Sequence, residues 1–251
     1  MRTYGLIGYP LGHSSSRKFF TEKFEREGKN EQYLNFEIPE IGQLTGVILE
    51  NANLAGLNFT IPYKTAVIPF LDELDEIASA IGAVNTILIE RTSGGNFRLK
   101  GYNTDVYGFR ESLRPLLRDG HKKALVLGTG GASKAVHFAL KELGITSVPV
   151  SRNEGTAGML TYSRLDKEII ASHRLIINTT PLGTFPDTGT FPEIPYTFIT
   201  PEHLLYDLVY NPPLTAFLER GQQQGATVKN GYEMLELQAL RSYAIWNGLQ
   251  D

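Results

Sequence analysis

Between Lys123 and Ala135 the chain reads Lys-Ala-Leu-Val-Leu-Gly-Thr-Gly-Gly-Ala-Ser-Lys-Ala, and no other stretch restricts the fold as tightly. An apolar run of β-forming residues stops at Gly128. Apolar residues then recur at helical spacing through Ala135, Val136, Ala139, Leu140 and Leu143, with Gly144 placed to end the helix. A strand, a glycine turn and a helix in direct succession open a parallel α/β unit. Gly128 and Gly130 permit the tight turn and let a pyrophosphate approach the backbone, where free N–H groups at the helix start can hold it. The third position of the glycine fingerprint is Ser133, while Gly131, Ala132 and Ala135 keep the turn small. With its strand and helix in place, the motif predicts dinucleotide binding.

Strands and helices go on alternating to Lys229, with strands read at Val148–Val150, Leu175–Asn178, Leu204–Leu208 and Ala226–Lys229. That order predicts a parallel sheet with right-handed crossovers. The preceding hundred or so residues carry strands of their own. They are read at Tyr4–Gly8, at the alternating Leu34, Phe36 and Ile38, at Gly56–Ile61, at Gly82–Ile89 and at Phe97–Tyr102. Helical spacing is read after Ser14, Ser15 and Ser16 (Phe20, Phe24), and again through Leu71, Leu74 and Ile77. Thr104 or Asp105 can cap a helix bearing Phe109, Leu113, Leu116 and Leu117, and a domain boundary is placed there. The segment from Pro181 to Pro201, rich in Pro, Gly and Thr, reads as a long surface connection. A closing helix from about Tyr232 to Trp246 is apolar enough to need a partner.

Composition narrows the function. With 251 residues and 41% hydrophobic content, the chain can bury one large core or two modest ones. A formal net charge of −3 gives no broad basic surface for nucleic acid or an anionic membrane. The absence of cysteine excludes disulfides, thiolate catalysis and cysteine-ligated metal. Met1-Arg2-Thr3-Tyr4-Gly5 lacks the apolar core of a signal peptide, and no apolar run of about 18 residues occurs. A cytoplasmic protein is the expectation.

Polar residues cluster at strand ends. Asn58, Thr60 and Lys64 follow one strand, Asn85 and Thr86 sit in another, and Asn103, Thr104 and Asp105 close a third. Taken singly, each asparagine reads as a turn former and Lys64 as a solvated lysine. Together they suit a ligand site, where a lysine beside a carboxylate passes a proton to or from a reacting oxygen. Asp105 is the candidate carboxylate, with helix N-cap as its plainer role. Ser14, Ser15 and Ser16 read as N-caps or, at a helix start, as binders of a substrate carboxylate.

These motifs together resemble the shikimate dehydrogenase family along nearly the whole chain. The family's serine motif corresponds to Gly8-Tyr9-Pro10-Leu11-Gly12-His13-Ser14-Ser15-Ser16, and its lysine motif to Asn58-Phe59-Thr60-Ile61-Pro62-Tyr63-Lys64. Gly82-Ala83-Val84-Asn85-Thr86 follows, then Gly101-Tyr102-Asn103-Thr104-Asp105. Later come Asn178-Thr179-Thr180-Pro181-Leu182-Gly183, Asp207-Leu208-Val209-Tyr210-Asn211-Pro212, and Gly231-Tyr232-Glu233-Met234-Leu235 with Gln238. Two departures stand out. Arg17-Lys18-Phe19-Phe20 replaces the family's proline and His-Asn pair, and Ser151-Arg152-Asn153-Glu154 replaces its Asn-Arg-Thr cofactor motif without a second arginine.

The resemblance implies a two-domain α/β fold. Residues 1–104 with the closing helix 232–251 would form an α/β substrate domain, and residues 105–231 a Rossmann-type cofactor domain, with the cleft between them. The implied reaction is reversible NADPH-dependent reduction of 3-dehydroshikimate to shikimate. Lys64 would protonate the carbonyl oxygen, and Asp105 would orient it. Ser14 and Ser16 would hold the ring carboxylate, while Asn58, Thr60, Asn85, Tyr210 and Gln238 bond carboxylate or ring hydroxyls. Apart from the motif match, Tyr210 reads as a packed aromatic and Gln238 as an exposed helix residue. Gly128, Thr129, Gly130, Gly131 and Ala132 would surround the pyrophosphate, Ser151 and Arg152 the adenosine phosphate, and Gly231 the nicotinamide side. Glu76 falls where some members approach the cofactor. No metal is required.

NADP is expected over NAD because Ser151 and Arg152, rather than an acidic residue, follow Val150. Two alternatives stay open: an NAD-using quinate/shikimate dehydrogenase, and a non-catalytic dinucleotide-binding regulator. Monomer and homodimer are both open.

Overall fold

In the computed structural model, which describes residues 1–11, 15–153 and 158–249, two six-stranded sheets organise the chain. Each belongs to its own unit, one made of Met1–Thr104 with Gln238–Asp251, the other of Asp105–Leu237.

The first sheet comprises β1 (Arg2–Gly8), β2 (Glu31–Glu37), β3 (Leu54–Phe59), β4 (Glu73–Leu74), β5 (Thr86–Arg91) and β6 (Phe97–Tyr102), in the order β2-β1-β3-β5-β6-β4. β1 pairs in parallel with both β2 and β3, and β5 runs antiparallel to β3 and β6. One face packs Ile7, Leu44, Ile48, Leu57, Val67, Val84 and Ile87, drawing on helices α2 (Leu44–Glu50), α3 (Tyr63–Ala66) and α4 (Glu76–Ile81). The other face packs Tyr4, Phe20, Phe24 and Tyr33 against the C-terminal half of the closing helix through Ala239, Tyr243 and Trp246. Phe20 and Phe24 come from α1 (Ser15–Arg26), which runs straight through Arg17-Lys18-Phe19-Phe20. β2 buries Tyr33 fully and Leu34 and Phe36 only partly, so its deepest side chain lies outside the alternating Leu34, Phe36, Ile38 set.

The helix expected through Leu71, Leu74 and Ile77 does not form. Instead α3 is followed by a 3-10 turn at Ile68–Phe70, then β4, then α4. Pro69 lies in that turn, and two aspartates stop any longer helix by bonding backbone groups themselves. Asp72 accepts the Leu99 N–H at 2.7 Å, and Asp75 caps α4 by accepting the Ala78 N–H at 2.7 Å. The strand expected from Gly82 begins only at Thr86. Gly82, at φ +67°, ends α4 in the left-handed conformation, so Ala83–Asn85 are a connection.

In the second unit, β7 (Lys123–Leu127), β8 (Thr146–Ser151), β9 (Leu160–Thr161), β10 (Leu175–Asn178), β11 (Leu204–Asp207) and β12 (Thr227–Lys229) form an all-parallel sheet. Its order is β12-β11-β10-β7-β8-β9. Read from β7, that is the doubly wound dinucleotide-binding order, whose direction reverses between β7 and β10. The helices are α5 (Asp105–Leu113), α6 (Gly131–Glu142), α7 (Lys167–Ser172), α8 (Ala216–Gln223) and the start of α9 (Tyr232–Trp246). α6 closes as expected, with Gly144 at φ +70° and the Ile145 N–H bonded to Leu140 O at 2.8 Å. α5 stops at Leu113, short of Leu116 and Leu117, because Pro115 turns the chain into a 3-10 segment.

The segment 181–201 is more than a surface connection. Ile194 and Ile199 are buried, and Phe191, Tyr196 and Phe198 pack on the core of the sheet. Its prolines mark turns, while the aromatic and β-branched residues between them fill the core. Among the described residues no helix is long and apolar enough to cross a membrane.

Candidate active site

The three polar clusters of the first unit meet in one hydrogen-bonded knot. Sheet register sets Asn58 beside Thr86, and Thr86 beside Tyr102. Asn58, Asn85, Thr86 and Thr104 are all buried. Asn58 Nδ2 donates to Thr86 Oγ1 at 3.0 Å, and Asn85 Oδ1 accepts the Thr104 N–H at 2.7 Å. Asn103 Nδ2 donates to Ala83 O at 3.0 Å, fixing the loop before Asn85. The same loop is tied to the lysine motif, because the Val84 N–H donates to Lys64 O at 2.7 Å and the Phe59 N–H to Asn85 O at 2.8 Å. Thr60, half-buried, donates its N–H to Ile7 O at 3.0 Å, which holds the end of β3 against β1. α9 joins the knot through Gln238, whose Oε1 lies 3.4 Å from both Asn85 Nδ2 and Thr104 Oγ1. A buried knot of this kind is stable because every polar group in it finds a partner.

Lys64 is half-buried in α3, and Asp105 is a buried first residue of α5, directly after Thr104. Ser16 lies in the first turn of α1 and hydrogen-bonds Tyr33. Ser14 and Glu154 lie outside the described residues. Glu76 is exposed in the first turn of α4, where its charge suits the helix N-terminus, and it takes no part in the knot.

The second unit carries the glycine turn. Gly128 has φ +101°, a conformation that L side chains rarely adopt, and an added Cβ would meet Thr180 Cγ2 at 2.9 Å. A Cβ on Gly130 or Gly131 would meet nothing within 4 Å, so these positions are bare by choice of residue rather than by crowding. Gly130 is the N-cap of α6 and makes no side-chain cap bond, and the first turn holds no acidic residue. That leaves a helix start suited to a phosphate, with exposed Thr129, Gly130 and Gly131 and half-buried Ala132 around it. Ser133 is buried and donates its hydroxyl to Gly130 O at 2.6 Å, so it braces the turn. Thr179 Oγ1 donates to Leu127 O at 2.7 Å, setting the loop after β10 against Gly128 at the reversal of strand order.

Ser151 ends β8 and accepts the Asn153 N–H at 3.3 Å, and Arg152 between them is exposed. No acidic residue stands at the end of β8 among the described residues. Those donors and that bare turn fit a dinucleotide with an added phosphate better than one held through ribose hydroxyls. Tyr210 is half-buried and meets Tyr232 edge-on, with centroids 6.5 Å apart. Gly231 has a steric reason of its own, since an added Cβ would fall 2.1 Å from Leu208 O.

Comparison with known proteins decides the family. Residues 6–87 match the model for the shikimate dehydrogenase substrate binding domain. A shikimate dehydrogenase (NADP(+)) from Halothermothrix orenii is 38% identical over 98% of this chain and 91% of its own length. The chain belongs to the shikimate dehydrogenase family. A second such relative, from Carboxydothermus hydrogenoformans, is also 38% identical over 98% of this chain and 91% of its own. The crystal structure of shikimate 5-dehydrogenase from Thermus thermophilus in complex with NADP(H) and shikimate is similar to it. There the TM-score is 0.84 at 33% identity, covering 99% of this chain and 94% of that one.

For this member of the shikimate dehydrogenase family, several residues that matter to the site escape sequence reasoning. Tyr33 donates its hydroxyl to Asn58 Oδ1 at 2.8 Å and so links Ser16 to the knot. Its burial raises the phenol well above its ordinary range, so it stays a hydrogen donor. A tyrosine off the apolar alternation of β2 is the one signal the sequence offers for it. Ser242, which bonds Asn58 from α9, leaves no signal beyond its place four residues after Gln238.

Asp207 is a further one. It is fully buried at the end of β11 and accepts from Asn178 Nδ2 at 2.9 Å, the Val209 N–H at 3.0 Å and Thr215 Oγ1 at 2.5 Å. Asn178 in turn accepts from the Thr180 N–H and hydroxyl, so the carboxylate organises both loops at the strand ends. Burial outweighs these three donors and raises the carboxyl to about 6. The folded state therefore holds a proton that an unfolded aspartate has lost. This stability is present below the unfolded pKa of about 3.9 and disappears as pH rises through about 6. In Asp207→Asn that dependence should vanish. The melting temperature of the variant minus that of the native protein should be more positive near pH ~7.5 than near pH ~4.5. A difference that stays flat across this range would remove the carboxyl as its source.

Proposed function

We infer that this protein catalyses the reversible NADPH-dependent reduction of 3-dehydroshikimate to shikimate. The observation that carries the reading is the meeting of Asn58, Asn85, Thr104 and Gln238 in one buried knot whose backbone is tied to Lys64. Such a knot presents rigid amides and hydroxyls to a small ring bearing a carboxylate and hydroxyls, at little entropic cost on binding.

In this reading, residues 1–104 with the C-terminal helix bind substrate, and residues 105–231 bind the dinucleotide. Ser14 and Ser16 take the ring carboxylate, while Asn58, Thr60, Asn85, Tyr210 and Gln238 take carboxylate or ring hydroxyls. When bound, NADPH supplies hydride from C4 of its nicotinamide. Negative charge grows on the ketone oxygen as the carbon is reduced, and the Lys64 ammonium stabilises that charge and delivers the proton. In the reverse direction Lys64 takes the proton from the hydroxyl. Asp105 orients Lys64 and accepts a hydrogen bond from the same hydroxyl region. Gly128 to Ala132 hold the pyrophosphate by backbone N–H groups, Gly231 flanks the nicotinamide side, and Glu76 is a peripheral contact. The protein acts in the cytoplasm, as a monomer or homodimer, without nucleic acid.

The test is absorbance of the reduced nicotinamide, NADPH or NADH, with shikimate and with quinate, each paired with NADP and with NAD. Turnover is expected to be highest with shikimate and NADP. Preference for quinate with NAD would make it a quinate enzyme, and silence at high protein concentration would leave a non-catalytic dinucleotide binder.

Arg152→Ala should raise KM for NADP far more than KM for NAD. One charge-assisted hydrogen bond to a phosphate is worth about 1.5–3 kcal/mol, or roughly 10- to 150-fold in preference. Equal changes for the two cofactors would take Arg152 out of the phosphate site.

A further inference from the structure

We propose that Ser242 is a positioning residue for substrate binding, acting through Asn58 and Gln238. This rests on the site reading above. Ser242 lies on α9, one helical turn after Gln238, and its side chain is completely buried. Its hydroxyl has one hydrogen and two lone pairs. The hydrogen is committed to Gln238 O at 2.9 Å, the back-bond that a serine makes to the carbonyl four residues earlier.

That commitment fixes the direction of the neighbouring bonds. Ser242 Oγ accepts from Asn58 Nδ2 at 3.0 Å and faces Thr86 Oγ1 at 2.8 Å and Thr104 Oγ1 at 3.1 Å, which must then act as donors toward it. With its one hydrogen turned to Ser242, Thr86 accepts from the Asn58 amide at 3.0 Å. The Asn58 amide hydrogens are thereby shared among Ser242 Oγ, Thr86 Oγ1 and the Asn85 carbonyl oxygen at 3.2 Å, and the amide oxygen is turned to the Tyr33 hydroxyl at 2.8 Å. Ser242 therefore helps set which end of the Asn58 amide faces which neighbour, together with the Tyr33 hydroxyl and the Asn85 carbonyl. It also ties the Gln238 turn of α9 to β3 and β5.

Alanine at this position removes the acceptor of these bonds. Thr86 is then released to donate to Asn85 Oδ1, 3.2 Å away, an oxygen that already accepts from the Thr104 N–H and hydroxyl. The Asn58 amide loses one of its three acceptors and is held less firmly, and Asn85 gains a competing donor. Binding of the ring suffers while the Lys64 ammonium itself is kept, so the loss falls on substrate affinity.

The experiment compares the native protein with Ser242→Ala and with Ser242→Cys, which retains volume but accepts hydrogen bonds poorly. Steady-state kinetics with shikimate and NADP are combined with calorimetric titration by shikimate alone. Both variants should raise KM and Kd for shikimate by about tenfold, the cost of one or two disturbed hydrogen bonds. kcat and KM for NADP should stay within about twofold.

Three results would overturn the role: shikimate affinity unchanged in Ser242→Ala, full recovery in Ser242→Cys, or kcat falling while both KM values rise in step. The first makes the hydroxyl idle, the second makes it a space filler, and the third makes it a general scaffold residue. Native protein that neither turns over nor binds shikimate would instead overturn the proposed function, and this role with it. That outcome is read before any variant is made.

Discussion

Lys64→Ala should lower kcat by about 10²–10⁴ with a much smaller change in KM for shikimate. The asymmetry follows from what surrounds the residue. Asn58, Asn85, Thr86, Thr104 and Gln238 hold one another through bonds among themselves, so the ring should still bind. The lysine backbone is fixed by the Val84 N–H, a contact that alanine keeps. What disappears is a positive charge and a proton source for the carbonyl oxygen, and both matter most as the transition state is reached. Steady-state kinetics in the forward and reverse directions measure the effect. A variant that loses affinity yet keeps its turnover would make Lys64 a binding residue and return the proton transfer to another group.

Trp246→Ala is expected to have the largest effect on stability, about 3–5 kcal/mol out of a total of about 5–15 kcal/mol for an ordinary domain. The indole is 1% exposed, stacks on Tyr4 with ring centroids 4.7 Å apart, and donates its N–H to Ile87 O at 2.9 Å. It lies so close to the backbone of β3 that a Cβ on Gly56 would fall 2.1 Å from Nε1. Alanine there leaves a cavity among Tyr4, Phe20, Tyr33 and Tyr243, and it removes the indole donor to the Ile87 carbonyl. The same helix carries Gln238 and Ser242, so weaker shikimate binding should accompany the lost stability. Urea unfolding followed by circular dichroism reads the first effect, and titration with shikimate the second. A loss below about 1 kcal/mol would mean that the surrounding rings close over the gap.

Most of the second unit is legible in the amino-acid sequence. A parallel sheet announces itself through nearly continuous apolar strands alternating with helices, and Leu125–Leu127, Leu175–Ile177 and Leu204–Tyr206 are buried as such strands are. Gly128 is legible because a left-handed turn after a strand admits almost no other residue. The misreadings share one cause. At 71–77 and 181–201, apolar spacing and turn residues point one way, while the bonds made by Asp72 and Asp75 and the packing of Ile194 and Ile199 decide the other. Periodicity describes which residues can share a face, and it carries no information about the partners that those groups find.

By itself, the sequence determined the chemistry on offer: a glycine turn for phosphates, a lysine, an aspartate and a set of amides and hydroxyls, with no thiol. It also determined the alternation that makes a parallel sheet. Only the tertiary structure decided that Asn58, Asn85 and Thr104, taken singly each a plausible turn residue, share one knot with Gln238, Tyr33 and Ser242. The physical reason is that hydrogen bonds between buried side chains depend on register and approach to within about 3 Å. Composition and spacing fix which groups exist, and only the packed chain fixes which of them meet.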